Sequence, residues 1–146
     1  MTLDELKAEI RKEEGYVPTV YKDSLGKRTC GFGHLCVEDF WEDGKEYDKK
    51  FLEEIFDKDF DEAYKNGHIL IEDNQVTNIE DQAKHIIIHI VYQLGIGNVG
   101  KFKKMFAALR DKNYSAAAEQ MINSRWHSQT KPRCERLAKQ MRSCDD

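Results

Sequence analysis

Apolar residues recur every three or four positions from Leu3 through Leu6 to Ile10, with charged residues between them. That spacing predicts an amphipathic helix over Leu3 to Glu14, opened by Thr2 and Glu5 as a capping box. Gly15 suits a helix C-terminus and Pro18 cannot continue a helix, so this element stops at Glu14. Two short strand-like runs follow, Thr19 to Lys22 and Arg28 to Phe32, joined by Asp23-Ser-Leu-Gly26 with its turn chemistry. Residues 36–47 read as an acid-rich loop. Asp48 can cap a second helix, whose wide apolar face includes Phe51, Leu52, Ile55, Phe56, Phe60, Ala63 and Tyr64 and which Gly67 ends. At roughly 1.5 Å per residue it is about 30 Å long, enough to bridge two lobes. His68 to Gln75 is expected to be a connector.

Thr77 and Glu80 form a second capping-box pattern, and the run from Ala83 to Leu94 is apolar nearly all round. Its length favours a buried helix over a strand, although Ile86, Ile87, Ile88, Ile90 and Val91 are β-branched. Gly95, Gly97 and Gly100 break the chain. Shorter helices are expected at about Lys101 to Arg110, Ser115 to Asn123 and Pro132 to Arg142, with Pro132 in a first helical turn. A small hairpin among many helices makes the fold class α+β.

Composition narrows the class further. A chain of 146 residues with 40% hydrophobic and 10% aromatic side chains is long and apolar enough to bury a core. No run approaches 18 apolar residues, so no membrane span is expected. The N-terminus is charged and shows no signal segment. Cys30, Cys36, Cys134 and Cys144 form no C-x-x-C pairs. Cys30, His34 and Cys36 could be drawn as metal ligands, but the fourth is not evident, and neither metal nor cofactor is expected. Cys30 has apolar strand neighbours and reads as a buried free thiol; if the protein is extracellular, three disulfide connectivities are open. Asn113-Tyr-Ser is a glycosylation sequon. Net charge is −4, divided unevenly: Glu38 to Lys65 holds twelve acids and five lysines, net −7, whereas Lys101 to Arg142 holds eleven bases and three acids, net +8. This basic last third lacks interleaved exposed aromatics or a recognition motif, so no nucleic acid partner is expected.

The candidate chemistry lies at the start of the chain. Glu14 ends a helix, Asp23 sits at a turn and the Thr29 hydroxyl enters the next strand. One acid and one base across a cleft is the minimum equipment for hydrolysing a glycosidic bond. With 34% charged residues such a pair is common, and the plain alternative is a solvated helix end beside a surface turn.

The order of the whole stretch decides between them. Glu14-Gly15 is followed by eight residues to Asp23, five more to Thr29, and then Gly31-Phe-Gly-His-Leu35. Tyr92-Gln93-Leu94-Gly95, Ser124-Arg125-Trp126, Gln129-Thr130 and Arg133 come later in the same order. The chain resembles the lysozyme family of the T-even phages along nearly its whole length. That resemblance implies a two-lobed lysozyme-like fold, a small β-hairpin lobe and a larger all-helical lobe joined by the long helix. Residues 1–146 would form a single lysozyme domain, about 15–60 in the β-containing lobe and 1–14 with 61–146 in the helical one.

The resemblance also implies a muramidase that cuts the β-1,4 bond between N-acetylmuramic acid and N-acetylglucosamine in peptidoglycan, with inversion. Glu14 would be the acid, while Asp23 and Thr29 hold the attacking water. Arg133 is expected near Glu14. Gln93 and Gly95 would floor the cleft beside Phe102, with Leu35 and His34 as supports. His34 is expected to pair with Asp59, whereas Glu13 with Arg136 reads as a solvated surface pair and Trp126 as core. Peptidoglycan is the expected partner, met by a monomer acting outside the cytoplasm. The alternatives are a lytic transglycosylase or a catalytically inactive wall-binding protein on the same fold. Relative to the family, the loop at 36–47 is cut short and the chain stops before a last short helical segment.

Overall fold

The computed structural model describes residues 1–145. The first helix, α1 (Leu3–Glu14), opens with the expected capping box: Glu5 N–H donates to Thr2 Oγ1 at 3.1 Å and Thr2 N–H to Glu5 Oε1 at 3.0 Å. Strands β1 (Val17–Lys22), β2 (Arg28–Gly31) and β3 (His34–Leu35) form an antiparallel sheet in the order β1-β2-β3. Tyr21 pairs with Thr29, Thr29 with Leu35 and Cys30 with His34. The β1–β2 register is irregular between Val17 and Tyr21. Pro18 lies there and has no N–H to give to the ladder. The third strand was not expected from sequence, because two residues are too few to show alternation.

Helix α2 (Lys49–Asp73) runs 25 residues and passes straight through Gly67, so neither the expected end at Gly67 nor the connector from His68 to Gln75 is correct. Gly67 serves packing instead. A Cβ placed on it would lie 2.9 Å from Ile88 Cγ1, so the bare backbone lets α2 approach the next helix closely. That helix is α3 (Asp81–Leu94). The expected Thr77–Glu80 capping box is also absent, and α3 starts with no side-chain cap bond. Asn78 takes a left-handed conformation, the Thr77 carbonyl accepts from Lys112 Nζ, and Glu80 N–H donates to the Tyr114 hydroxyl. Tertiary partners have replaced the local cap.

Five shorter helices follow among the described residues: α4 (Ile96–Val99), α5 (Lys103–Arg110), α6 (Tyr114–Ile122), α7 (Arg125–Gln129) and α8 (Lys131–Ser143). Asn113 caps α6 by accepting from Ala116 N–H, and Pro132 occupies the first turn of α8 as its sequence position predicts. The one-turn helix α7 was not foreseen. No helix among the described residues is long and apolar enough to cross a membrane.

The chain divides into two compact units, Thr2–Glu62 and the remainder from Ala63 with Met1, the division falling within α2. Helix α1 groups with the sheet in the first of these units. Arg11 stands over the Phe56 ring at 4.9 Å and Lys7 over Phe60 at 5.1 Å, while the Phe32 ring meets Phe56 edge-on. These contacts tie α1 and the hairpin to the first half of α2. Cys30, Trp41, Tyr47 and Leu52 form a hydrophobic core cluster in this unit. The core of the second unit is built on Ile86 to Ile88, Met105, Phe106, Met121 and Trp126, all buried.

Candidate active site

Glu14 is the last residue of α1, and the tight turn between β2 and β3 meets it. A Cβ on Gly33 would come 2.8 Å from Glu14 Cδ and nearer still to its Oε1, so the carboxyl group rests against bare backbone. Gly33 also has φ +78°, a conformation that costs an L side chain roughly 1–2 kcal/mol. Both requirements select glycine.

Asp23 begins the β1–β2 turn and is fixed by it. Its Oδ1 accepts from Leu25 N–H at 2.9 Å and Lys27 N–H at 2.8 Å, while its own N–H donates to the Lys27 carbonyl. This is the self-capped turn that the Asp-Ser-Leu-Gly composition anticipates. Thr29 is buried, 3% exposed, and its hydroxyl donates to the Lys27 carbonyl at 2.9 Å. With that hydrogen committed, the oxygen can only accept from a further partner.

Tyr21 was missed by the sequence reading. It stands opposite Thr29 in the hairpin register, so the two side chains share a face. Burial raises the phenol pKa, and the negative charges of Glu14 and Asp23 raise it further. Both carboxylates therefore act on one ring beside Thr29. The alternation of β1 across the five-residue connection to β2 could have located it.

Below the hairpin lies a chain of polar contacts. His34 Nδ1 is 2.7 Å from Asp59 Oδ2 on α2, and its Nε2 is 2.9 Å from Glu38 Oε1. The same Glu38 oxygen accepts from Trp41 Nε1 at 2.7 Å. Burial alone would lower the His34 pKa, but hydrogen bonds to Asp59 and Glu38 outweigh it and raise it to about 9. Glu38 shifts the other way: burial opposes the shift, and the bonds from Trp41 and His34 lower its pKa. Glu38 and Trp41 were not foreseen, because residues 36–47 look merely acidic in sequence. The loop is in fact stapled by Trp41 and Tyr47, and Arg28 Nη2 pairs with Asp43 at 2.9 Å.

The remaining candidates lie in the second unit. Gln93 links two motif residues, accepting from Trp126 Nε1 at 3.0 Å and donating to Thr130 Oγ1 at 3.1 Å. Trp126 is buried at 2% exposure, a core residue as its sequence context indicates. Phe102 lies just before α5, its ring 6.5 Å from that of Trp126. Arg133, on the first turn of α8, is 8% exposed and donates from Nε and Nη2 to His89 Nε2 at 3.1 and 3.0 Å. His89 was overlooked within an apolar run. Leu35, by contrast, is 44% exposed on β3. Among the described residues no group of three His, Cys, Asp or Glu is placed to hold a metal ion. Cys30 is a buried free thiol; burial raises its pKa, and burial followed by the neighbouring Cys30 raises that of Cys36 to about 11. Both stay protonated and unreactive near neutrality.

A profile of the phage lysozyme family matches residues 11–142, nearly the whole chain, and spans Glu14, Asp23, Thr29, His34, Gln93 and Arg133. The chain belongs to the phage lysozyme family. Similar proteins include Probable T4-type lysozyme 2 and Probable T4-type lysozyme 1 of Dictyostelium discoideum, 27% and 29% identical, each match covering 90% of this chain and 90% of the relative. Peptidoglycan hydrolase gp36 of Pseudomonas phage phiKMV is 29% identical over 91% of this chain but only 14% of its own length. This phage-lysozyme chain is a glycoside hydrolase of the lysozyme kind, and bacterial cell wall is its substrate class.

Proposed function

We propose that the protein hydrolyses the β-1,4 bond between N-acetylmuramic acid and N-acetylglucosamine of peptidoglycan, outside the cytoplasm, as a monomer and with inversion at the anomeric carbon. Glu14 donates its proton to the glycosidic oxygen as the bond from that oxygen to C1 breaks. A water molecule attacks C1 from the opposite face, and Asp23 takes its proton. Asp23 Oδ1 is committed to two backbone N–H groups, so Oδ2 is the base. The Thr29 oxygen, its own hydrogen held by Lys27, accepts the water's other hydrogen and aims a lone pair at C1. Glu14 ends ionised and Asp23 protonated; exchange with solvent resets both. Gln93, Phe102, Arg133, His34 and Leu35 bind substrate or support those that do.

The observation that supports this reading is the hairpin itself: the Glu14 carboxyl group seated against the bare backbone of Gly33, Asp23 fixed in its turn by two N–H groups, and Thr29 buried in the strand that follows. The test is product analysis on purified peptidoglycan, with NMR of the freshly released muramic acid end. The α-anomer is expected first. The β-anomer would overturn inversion. A 1,6-anhydro product would mean a lytic transglycosylase, for which Asp23 should be nearly dispensable.

A further inference from the structure

Helix α3 is buried without a break from Ile86 to Val91, and its buried residues Ala83, Ile86, Ile87, Ile88, Ile90 and Val91 are apolar. His89 lies among them with 0% exposure. A polar group in such a place is destabilising unless it is hydrogen-bonded, and a buried guanidinium more so. The two meet at one atom. Arg133 Nε–H and Nη2–H both point to His89 Nε2, at 3.1 and 3.0 Å. A guanidinium only donates, so Nε2 must present its lone pair; His89 is the neutral tautomer with its proton on Nδ1.

A second rung lies one turn along. Gln93, four residues after His89 on the same helix face, bonds to Thr130, three residues before Arg133 at the start of α8. Trp126 of α7 closes the row by donating to Gln93. A hydrophobic interface would have held α3 to α8 equally well, so this polar seam fixes direction as well as position. The acceptor chosen is informative too. One imidazole nitrogen that accepts from both Nε–H and Nη2–H fixes the plane of the guanidinium.

From this geometry we infer that His89 is a positioning residue for Arg133, holding its guanidinium in the one orientation in which the charge serves the wall-hydrolysing reaction. The inference rests on the assignment of Arg133 to substrate binding or support made above. It also assigns the His89–Gln93 row of α3 a role in activity beyond filling the core.

The test is a set of variants assayed for kcat and KM on soluble peptidoglycan fragments, with thermal unfolding as control. His89→Met keeps volume and burial but lacks the acceptor; it should lower kcat/KM by on the order of 10- to 100-fold while remaining folded. His89→Gln, whose amide oxygen can take both N–H groups, should restore most of the loss. Arg133→Ala should be impaired, and adding His89→Met to it should cost little more, because the histidine acts through the arginine. Full activity of Arg133→Ala would overturn the role of Arg133 and this inference with it. An impaired Arg133→Ala beside a fully active His89→Met, or equal losses in the Met and Gln variants, would overturn the inference alone. Should His89→Met fail to fold, imidazole nitrogen shifts of the wild-type protein decide: a bare Nε2 supports the pairing and a proton on Nε2 overturns it.

Discussion

Glu14 and Gly33 show how closely side-chain chemistry and backbone geometry depend on each other here. An amide at position 14 fills the same space against the turn but cannot deliver a proton. Glu14→Gln should therefore leave the unfolding temperature almost unchanged and lower lysis of a cell-wall suspension by at least about 100-fold, the lower end of general acid–base contributions. Residual activity near the wild-type level would remove Glu14 as the acid. Gly33→Ala makes the complementary prediction. The new Cβ meets the Glu14 carboxyl group and must adopt φ +78°, so stability should fall by about 1–2 kcal/mol. Activity should fall by more than that loss explains, because the carboxyl group itself is displaced. Equal activity per folded molecule would mean that the turn does not set the position of Glu14.

Among the elements, the tie between hairpin, loop and α2 has a pH signature. His34 has its pKa raised from 6.5 to about 9, so its contribution is fully present below pH 6.5 and is lost as pH rises through about 9. Glu38 has its pKa lowered from 4.5, so its contribution is present above pH 4.5 and fades as pH falls through the folded value. The network is thus strongest between about pH 4.5 and 6.5. Asp59→Asn should cost about 1.5–3 kcal/mol at pH 5.5, the range for hydrogen bonds to charged groups, and clearly less at pH 9.5. A deficit independent of pH would show that the pair holds by shape alone, and so would a His34 that titrates near 6.5 in the wild-type protein.

At the scale of the molecule, an enzyme of net charge −4 must meet an anionic wall. We propose the excess of +8 between Lys101 and Arg142 as the docking charge, against the plain alternative of a solvated face; Lys103 and Lys104 at the start of α5 are exposed. Lysis should slow as salt rises, since exposed charges are screened beyond about 10 Å at 0.1 M. Reversing both lysines to Glu should weaken sedimentation with cell walls yet leave cleavage of a short neutral oligosaccharide unchanged. Equal loss on both substrates would place these lysines in the fold or the site instead.

The sequence by itself determined whatever depends on near neighbours. Thr2 with Glu5 capped α1, Asp23 to Gly26 made the turn, and Pro132 opened α8, because capping and turn chemistry act within a few residues. The place of Asp23 in its turn and the entry of Thr29 into the following strand were legible for the same reason, because turn and hairpin register act over a few residues. What only the tertiary structure decided lies across long separations. Gly67 reads as a stop until Ile88 of α3 packs against its bare backbone, and Glu80 reads as a cap until Tyr114 takes its N–H. Glu38 reads as one more surface acid until His34 and Trp41 converge on a single oxygen. His89 reads as an apolar helix's exception until Arg133, 44 residues on, donates to it. A polar group's meaning is set by its partner, and that partner is known only once the chain has packed.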